Sequence, residues 1–395
     1  MTKARIAAEY VYTLDCAQPI RNGYVEYDTE NGRILGVGQC TEGEEVLKGA
    51  LLPGFVNSHC HIELSHLHKK FRKGTGMAGF IDQINELRDW AGADVKAVLV
   101  EEWMDKMWND GVSAMADISN DDSSFKVKKS HPMYTRTFLE VFGSEPHMCD
   151  GVMSDVTALK KMADEVGIDA APTPHSCYTM SPQLLSASAA AGLQEGWLSY
   201  HSQESQEEED LLLTGSGAMY ENRKRSGMST PPVTGESSLK YFLTRLAAVL
   251  QPPYDQHILL VHNCCLQQGD IDAAKAVMNN VYWAICPLSN MFIHNALPPV
   301  ELMRRNALNI TVGTDSLSSN DDLDIVKELY CIHENFKEVP MNEILTWACL
   351  NGARFLSKEA ELGSLTAGKC PGIVLVENID ADGYFTAESR SRRII

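Results

Sequence analysis

The chain has 395 residues, 44% of them hydrophobic, and a formal net charge of −19. This apolar fraction is enough for a substantial core and lies outside the range of disordered chains. The excess of acidic residues argues against DNA, RNA and anionic membranes as partners, and it favours solubility.

The cysteines and the N-terminal segment predict a cytoplasmic location. No apolar run approaches the length of a membrane span, and the opening residues, MTKARIAAEYVYTLD, lack the apolar core of a signal peptide. The 11 cysteines are odd in number and include no CxxC pair. We therefore expect reduced thiols in a cytoplasmic protein that does not bind membranes.

The two ends of the chain and its middle differ in their predicted secondary structure. Short strands separated by turns are predicted near the N-terminus, in IAAEYVYT, GYVEYD and GRILGVG, and again near the C-terminus, in ELGSLTAGKCPGIVLVENID. In the middle, amphipathic segments such as GFIDQINELRDWA alternate with eight apolar runs: PGFVNSHCH, GVSAMADIS, MYTRTFLEVFG, IDAAPTPH, LSYHSQE, HILLVHN, VYWAICPLS and NITVGTDS. Eight strands alternating with helices predict a parallel (β/α)8 barrel.

Polar residues recur at the ends of these predicted strands. In chain order they are His59 and His61, Asp117, Glu140, His175, His201, His262 and Asp315. In a barrel all of these ends meet on one face, where active sites lie. A buried aspartate after ITVGT needs a partner or a metal, so the pattern favours a site over a set of satisfied core histidines.

The spacing of the first two histidines predicts a metal site. On a strand, residues two apart point the same way, so His59 and His61 both face the barrel mouth. With His201 and Asp315 they form a nitrogen and oxygen ligand set that suits one Zn²⁺ ion and also allows Fe²⁺ or Mn²⁺. An open coordination position remains for water.

Two further histidines, His66 and His68, follow in LSHLHKKF. A zinc-peptidase HExxH motif needs two histidines four apart on a helix, whereas His61 and His66 are five apart. We interpret His66 and His68 as residues of a loop or helix start near the rim, outside the metal site.

An HxxE pattern opens the segment HSQESQEEED, which starts at His201. Glu204 lies just beyond the fifth strand, where a carboxylate could carry a proton to and from a metal-activated water. The later acids, Glu207 to Asp210, are interpreted as a solvated helix N-terminus favoured by the helix dipole.

These motifs resemble the amidohydrolase superfamily, in its branch of mononuclear metal aminohydrolases that includes the S-adenosylhomocysteine/methylthioadenosine and aminodeoxyfutalosine deaminases. The matching segments run in family order from residue 52 to residue 369: LPGFVNSHCH, PTPHSCYTMS, HSQES, LLVHN, CPLSN, VGTDSLSSNDDLD and LGSLTAGK. The resemblance implies a metal-dependent hydrolase barrel over residues 52–363. A small composite β-domain from residues 1–51 and 364–395 would accompany it.

The resemblance also implies roles for individual residues. By analogy His59, His61, His201 and Asp315 are the metal ligands, and Glu204 is the proton-shuttling glutamate. His262 would orient the water, Asp315 would share in the proton transfers and His175 would touch the substrate. Binuclear branches use a carbamylated lysine at the end of the fourth strand, where this chain has His175, so one divalent ion is expected.

The expected reaction is the hydrolytic deamination of an aminated heterocycle, and a 6-aminopurine nucleoside derivative is favoured as the small-molecule substrate. Arg136 and the cluster Arg223–Arg225 could meet an acidic tail of such a substrate, although each has a structural interpretation as well. Glu63 is expected either to brace the metal ligands or to bind the ring. The resemblance to this family also implies a homodimer.

Two alternative functions stay open at this point. The first is another amidohydrolase acting on a different C–N bond, in a guanine, pterin or triazine-like ring or a cyclic amide. The second is a non-catalytic binding protein with the same fold, which would be expected to have lost ligand positions. All four are present in this chain.

Overall fold

A computed structural model describes residues 2–395, and strands from both ends of the chain form one six-stranded sheet. Its strands are β1 Lys3–Val11, β2 Ile20–Asp28, β3 Ile34–Gln39, β4 Leu47–Pro53, β13 Ile373–Glu377 and β14 Arg390–Arg393. Their order is β14-β13-β4-β1-β2-β3, and β13 pairs antiparallel with β4. Apolar side chains from both termini pack on this sheet, including Val11, Leu51 and Leu375.

Eight parallel strands occupy the middle of the chain, at the positions of the eight predicted runs. They are β5 Phe55–Cys60, β6 Val112–Ser119, β7 Tyr134–Val141, β8 Asp169–Pro174, β9 Trp197–Ser202, β10 His257–His262, β11 Val281–Ile285 and β12 Ile310–Val312. They form two four-stranded sheets, β5-β6-β7-β8 and β9-β10-β11-β12.

Backbone hydrogen bonds link the two sheets at both of their seams. At one seam the amides of Thr314 and Asp315 donate to the His59 carbonyl, at 3.0 Å each. At the other, the His201 amide donates to the His175 carbonyl at 3.0 Å. The predicted (β/α)8 fold is therefore confirmed. Four of the five residues that make these seam bonds, His59, His175, His201 and Asp315, are predicted site residues.

Helices follow the barrel strands and cover them. They are α1 Gly76–Leu87, α2 Ala93–Asn109, α3 Phe125–Ser130, α4 Cys149–Val166, α5 Pro182–Gln194, α6 Gln206–Leu213, α7 Gly217–Arg225, α8 Ser238–Ala247, α9 Gln268–Val277, α10 Pro287–His294, α11 Val300–Arg305, α12 Ile325–Asn335, α13 Met341–Thr346 and α14 Gly352–Phe355. Short 3₁₀ segments span Ile62–Leu67, Pro146–Met148 and Cys177–Thr179, and a π-helical turn spans Trp347–Asn351.

Local signals explain where individual helices begin and end. Ser181 caps α5 by accepting a hydrogen bond from the Leu184 amide at 3.3 Å, and Pro182 takes the first helical position. Gly167 ends α4 in the left-handed conformation. Among residues 2–395, none of the helices has the length and apolar character needed to cross a bilayer.

Strained backbone marks the carboxyl ends of three barrel strands. Gln203, His262 and Asp315 all have positive φ values, of 50°, 75° and 58°. Such conformations are uncommon for residues other than glycine and concentrate where a structure has to aim a functional group. The chain therefore turns sharply at two predicted site residues, His262 and Asp315, and at Gln203, which precedes Glu204.

Candidate active site

The four predicted metal ligands converge at the carboxyl ends of the barrel strands. His61 Nε2 lies 3.5 Å from Asp315 Oδ1, and His59 Nε2 lies 3.7 Å from the same oxygen. His61 Nε2 is 3.3 Å from His201 Nε2. These side chains come from β5, the residue after it, β9 and the turn after β12, so only the closed barrel brings them together.

This set of donor atoms fits a divalent cation. His59 is 1% exposed, yet neither of its ring nitrogens has a hydrogen-bond partner within residues 2–395. Buried polar atoms normally have a partner, because desolvation without one costs free energy. Burial lowers the pKa of His59 well below its usual value and lowers those of His61 and His201 to about 4. The imidazoles are thus neutral, as metal ligation requires.

Neighbouring hydroxyl groups orient the Asp315 carboxylate. Ser289 and Ser319 donate to Oδ2 at 2.6 Å and 2.9 Å, which leaves Oδ1 facing the histidines. Burial alone would raise the pKa of Asp315, whereas the Ser289 hydrogen bond lowers it, and His61 and His262 would lower it further in their protonated forms. The pKa of Asp315 stays below its usual value, so its carboxylate is an ionised oxygen donor, which together with the histidine nitrogens suits zinc.

Glu204 and His262 face each other next to these donors. Glu204 Oε1 lies 3.5 Å from His262 Nε2, and the Tyr178 hydroxyl donates to Glu204 Oε2 at 3.2 Å. The Asn290 side-chain amide contacts His262 Nδ1 at 3.1 Å and so holds the ring with Nε2 toward Glu204. Burial raises the pKa of the Glu204 carboxyl well above its usual value.

His175 and Glu140 complete the wall around His201. The His175 ring stacks on the His201 ring with centroids 4.4 Å apart, and its Nδ1 contacts Ser176 Oγ at 2.7 Å. His201 Nδ1 donates to the His175 carbonyl at 3.1 Å, which leaves Nε2 free as a ligand atom. Glu140 Oε1 is 3.5 Å from His201 Nδ1, and burial raises the pKa of Glu140 to about 8.

A cavity with about 160 Å³ of space for water-sized molecules opens over these groups. Its lining includes His61, His175, His201, Glu204, His262 and Asp315. Apolar side chains from one face of α1, among them Met77, Phe80 and Ile84, form the opposite wall. Such a mixture of an apolar wall and a few converging polar groups is typical of a small-molecule site.

Arg88 is a cavity residue that the sequence reasoning missed. It follows α1 directly and is the only lysine or arginine among the described residues that line the cavity. Its guanidinium donates to Asn120 Oδ1 at 3.3 Å and lies 5.1 Å from the Phe142 ring centroid. The signal was present in the amphipathic segment GFIDQINELRDWA, where this arginine follows the apolar face at helical spacing.

The structure does not bring Arg136 to the cavity, where a substrate contact was predicted. Its guanidinium lies 3.8 Å from the Trp197 ring centroid and 3.6 Å from Asp169 Oδ2. Asp169 and Trp197 are the first residues of β8 and β9, so Arg136 is at the amino end of the barrel. As the third residue of β7 it is too early in the strand to reach the site.

The cluster Arg223–Arg225 lies on α7, and none of its residues lines the cavity. Arg223 donates to the Ser229 carbonyl and holds the turn after the helix. Arg225 pairs with Asp82 on the outer side of α1 at 2.8 Å. These contacts agree with the interpretation of the cluster as a structural part of the surface.

Glu63 is not on the β5 strand, as its spacing from His61 suggested, but in the 3₁₀ segment that follows. Both of its oxygens accept from the Asn120 amide at 2.9 Å, and it does not line the cavity. These contacts join Glu63 to the backbone after β6, and its expected role, to brace the metal ligands or to bind the ring, stays a prediction. Burial raises the pKa of Glu63 to about 8.

His66 and His68 make structural contacts, as expected. His66 contacts the Glu63 and Arg88 carbonyls, and His68 Nε2 contacts the Asp321 carbonyl at 2.9 Å. None of the metal-type clusters in the described chain includes either residue.

The acidic run after Glu204 differs from its interpretation as a solvated face. Glu208 and Glu209 are buried. Glu208 accepts from the backbone amides of Gln203 and Glu204 at 3.2 Å and 2.8 Å, so it fixes the loop that carries Glu204. The sequence could not show this, because the partners of Glu208 are backbone amides of a strained turn.

Comparisons with known proteins agree with this architecture. The family model described as "Amidohydrolase family" matches residues 50–394. An adenosine deaminase of Helicobacter pylori is 26% identical over 330 residues, which cover 81% of this chain and 76% of the relative. A 5-methylthioadenosine/S-adenosylhomocysteine deaminase of Moorella thermoacetica is 25% identical over 348 residues, which cover 82% and 73%.

Two solved structures have the same fold. Helicobacter pylori aminofutalosine deaminase in complex with methylthio-coformycin has a TM-score of 0.75 at 20% identity and covers 99% of this chain and 100% of its own. An adenosine deaminase from Xanthomonas campestris with bound zinc has a TM-score of 0.72 at 21% identity, with coverages of 94% and 84%. Together with the family match over most of its length, these findings show that the chain belongs to the amidohydrolase family.

Proposed function

We propose that this protein is a metal-dependent aminohydrolase that releases ammonia from a 6-aminopurine nucleoside derivative. The observation that carries the proposal is the pair Glu204 and His262, 3.5 Å apart, on the cavity wall beside Asp315. The names of the relatives, deaminases of adenosine and its sulfur-containing derivatives, support the same substrate class.

His59, His61, His201 and Asp315 would hold one divalent ion, with zinc favoured and iron or manganese as alternatives. When bound, such an ion supplies the Lewis acidity that makes water a nucleophile near neutral pH. The borderline nitrogen and oxygen ligands support this choice of metals.

The residues of this chain then have separate parts in the reaction. Glu204 accepts a proton from the attacking water and delivers it to the ring nitrogen next to the reacting carbon. His262 and Asp315 hold the water in line, and His175 contacts the substrate ring. The water oxygen bonds to the carbon, and its second proton passes through Asp315 to the amino nitrogen. The bond from the carbon to that nitrogen then breaks, and ammonia leaves a 6-oxopurine.

The remainder of the cavity suggests the rest of the substrate. The apolar face of α1 suits an apolar substituent on the ribose, and Arg88 at its end suits an anionic group at the far end of that substituent. The substrate contact expected of Arg136 is thereby reassigned to Arg88. Cytoplasmic location and a homodimer complete the proposal on the sequence arguments given above.

The test is a comparison of wild-type protein with Glu204→Gln. Ammonia release is measured on adenosine derivatives, guanine, pterins and cytosine, and zinc content is measured on the same samples. We expect kcat to fall at least about 100-fold, because a positioned acid–base group contributes that much, while zinc content stays unchanged.

Glu236→Gln, in an exposed loop, is the matched control and should keep full activity. Near-normal turnover by Glu204→Gln would contradict the role of Glu204. Activity on a pterin or guanine, with none on adenosine derivatives, would instead favour the alternative amidohydrolase.

A further inference from the structure

Two buried carboxylates link the ends of β5 and β6, and each of them accepts a hydrogen bond from the backbone next to the other strand. Asp117, in β6, accepts a hydrogen bond from the Ile62 amide at 2.8 Å. Glu63, in the 3₁₀ segment after β5, accepts from the Asn120 amide at 2.9 Å. Asp117 is 0% and Glu63 4% exposed, so water does not compete for these bonds. Each strand end therefore fixes the backbone of the other.

Lys128 balances the charge of Asp117. Its ammonium group lies 2.5 Å from Asp117 Oδ2 and also donates to Ser119 Oγ at 2.8 Å and Thr137 Oγ1 at 3.2 Å. All three ammonium protons have an acceptor, as a buried cation requires. Oδ1 of Asp117 is left for the Ile62 amide, so this ion pair presents one fixed acceptor to the chain next to His61.

The hydrogen bond from the Ile62 amide to Asp117 matters because this amide directly follows His61. Ile62 begins the 3₁₀ segment, and His61 is its N-cap residue, with φ −121° and ψ 75° and no side-chain cap. The first amides of a helical segment have no partner within it, so an external acceptor decides how the segment starts. By holding the Ile62 amide, Asp117 sets the peptide that follows the Cα atom of His61.

We propose that Asp117 is a positioning residue for His61, through the Ile62 amide and with Lys128 as its counter-ion. The proposal rests on the metal-dependent function proposed above, and groups behind metal ligands are known to tune metal affinity. Glu63 makes the reciprocal bond to Asn120, which lines the cavity, so the same pair of bonds joins a metal ligand to the substrate wall.

Two double variants test whether Asp117 acts as an acceptor. In Asp117→Asn with Lys128→Met, the amide oxygen still accepts from Ile62 and no buried charge is left unpaired. In Asp117→Leu with Lys128→Met, the acceptor of the Ile62 amide is lost, and the buried pair of side chains again carries no charge. Zinc affinity is measured by competition with a chelating indicator, and folding by far-UV circular dichroism and urea unfolding.

We expect the Asn variant to bind zinc within about threefold of wild type. The Leu variant should bind it about 10–100-fold more weakly, the range typical when a group that holds a metal ligand in place is lost. A folded Leu variant with wild-type zinc affinity would overturn the proposal. So would equal losses in both variants, which would mean that only packing matters.

If the Leu variant does not unfold cooperatively, Asp117→Ser with Lys128→Met replaces it, because the serine hydroxyl is too short to reach the Ile62 amide. The readout does not use turnover. Wild-type protein that binds zinc but releases no ammonia would refute the proposed function and leave this comparison decisive. Wild-type protein that binds none of zinc, iron and manganese would overturn both proposals.

Discussion

At the residue scale, the buried ring of His59 has no hydrogen-bond partner within the described chain, whereas His68 has its contact to the Asp321 carbonyl. Histidines close together in the sequence thus have different surroundings. The first lies among nitrogen and oxygen donors, and the second is at the rim, against the ring of Trp103.

Replacing a predicted ligand such as His61 should empty the metal site, and replacing His68 should not. We expect His61→Ala to reduce bound zinc to less than about a tenth of wild type, because one of four ligands is lost. His68→Ala is the matched control and should keep its zinc. Elemental analysis of the purified variants measures both, and loss of zinc in His68→Ala would contradict the assignment.

Arg88 should determine whether a charged substituent is preferred. In Arg88→Ala we expect KM for a 6-aminopurine nucleoside with a terminal carboxylate to rise about tenfold or more, because a hydrogen bond to a charged group is lost. KM for adenosine itself should change little. The check is steady-state ammonia release with both substrates.

Arg225→Ala is the control for this change, because it removes an arginine that contacts α1 from the outside, through Asp82. Equal effects of Arg88→Ala on the charged and uncharged substrates would show that Arg88 supports the wall without recognising an anion.

At the element scale, helix α1 forms the apolar wall of the cavity, yet its own N-cap residue, Thr75, makes no side-chain cap. The acceptor comes from α6 instead: Glu207 accepts from the Met77 amide at 3.2 Å and the Ala78 amide at 2.9 Å. Gly76 suits this contact, because it has a φ of 69° and a Cβ atom there would collide with the Glu207 carboxylate. The wall is thus fastened to the segment that carries Glu204.

Removing this acceptor should loosen the start of α1. In Glu207→Ala we expect backbone amides near Met77 and Ala78 to exchange hydrogen about fivefold faster, since a lost cap costs about 1 kcal/mol. Hydrogen exchange with mass spectrometry measures this. Gln206→Ala, at the neighbouring exposed position, should leave the exchange unchanged, and equal protection in both variants would contradict the assignment.

At the scale of the whole molecule, Arg393 joins the terminal sheet to the barrel. From β14 its guanidinium donates to the Trp108 carbonyl at 2.8 Å and to the Val112 carbonyl at 2.9 Å. It also lies 3.6 Å from the Trp108 ring centroid. The last strand of the chain thereby holds the connection between α2 and β6.

Arg393→Ala should therefore destabilise the barrel and not only the chain end. We expect the free energy of unfolding to fall by about 2 kcal/mol, because hydrogen bonds from a charged donor are lost. The midpoint of urea unfolding measures the change. The neighbouring Arg392, which pairs with Glu377 on the exposed side, is the control, and equal shifts for Arg392→Ala would refute the specific role of Arg393.

The division of the chain into residues 1–51 with 364–395 and residues 52–363 stays a prediction. The boundary at 51/52 falls inside β4, two residues before its end at Pro53. Strand β4 pairs with β1 and β13, and only Gly54 separates it from the first barrel strand. Hydropathy along the chain could not locate this boundary, because both sides of it are buried strands.

The sequence by itself determined the eight-stranded barrel and which residues form its candidate metal site. Strand periodicity and position at a strand end are local properties, and they singled out the polar residues among which His59, His61, His201 and Asp315 are the predicted metal ligands. Tertiary structure alone decided that Arg88 and not Arg136 lines the cavity, and that Glu63 and Asp117 hold each other's strand ends. The reason is that these contacts depend on strand register and helix packing, which residues distant in the sequence set together.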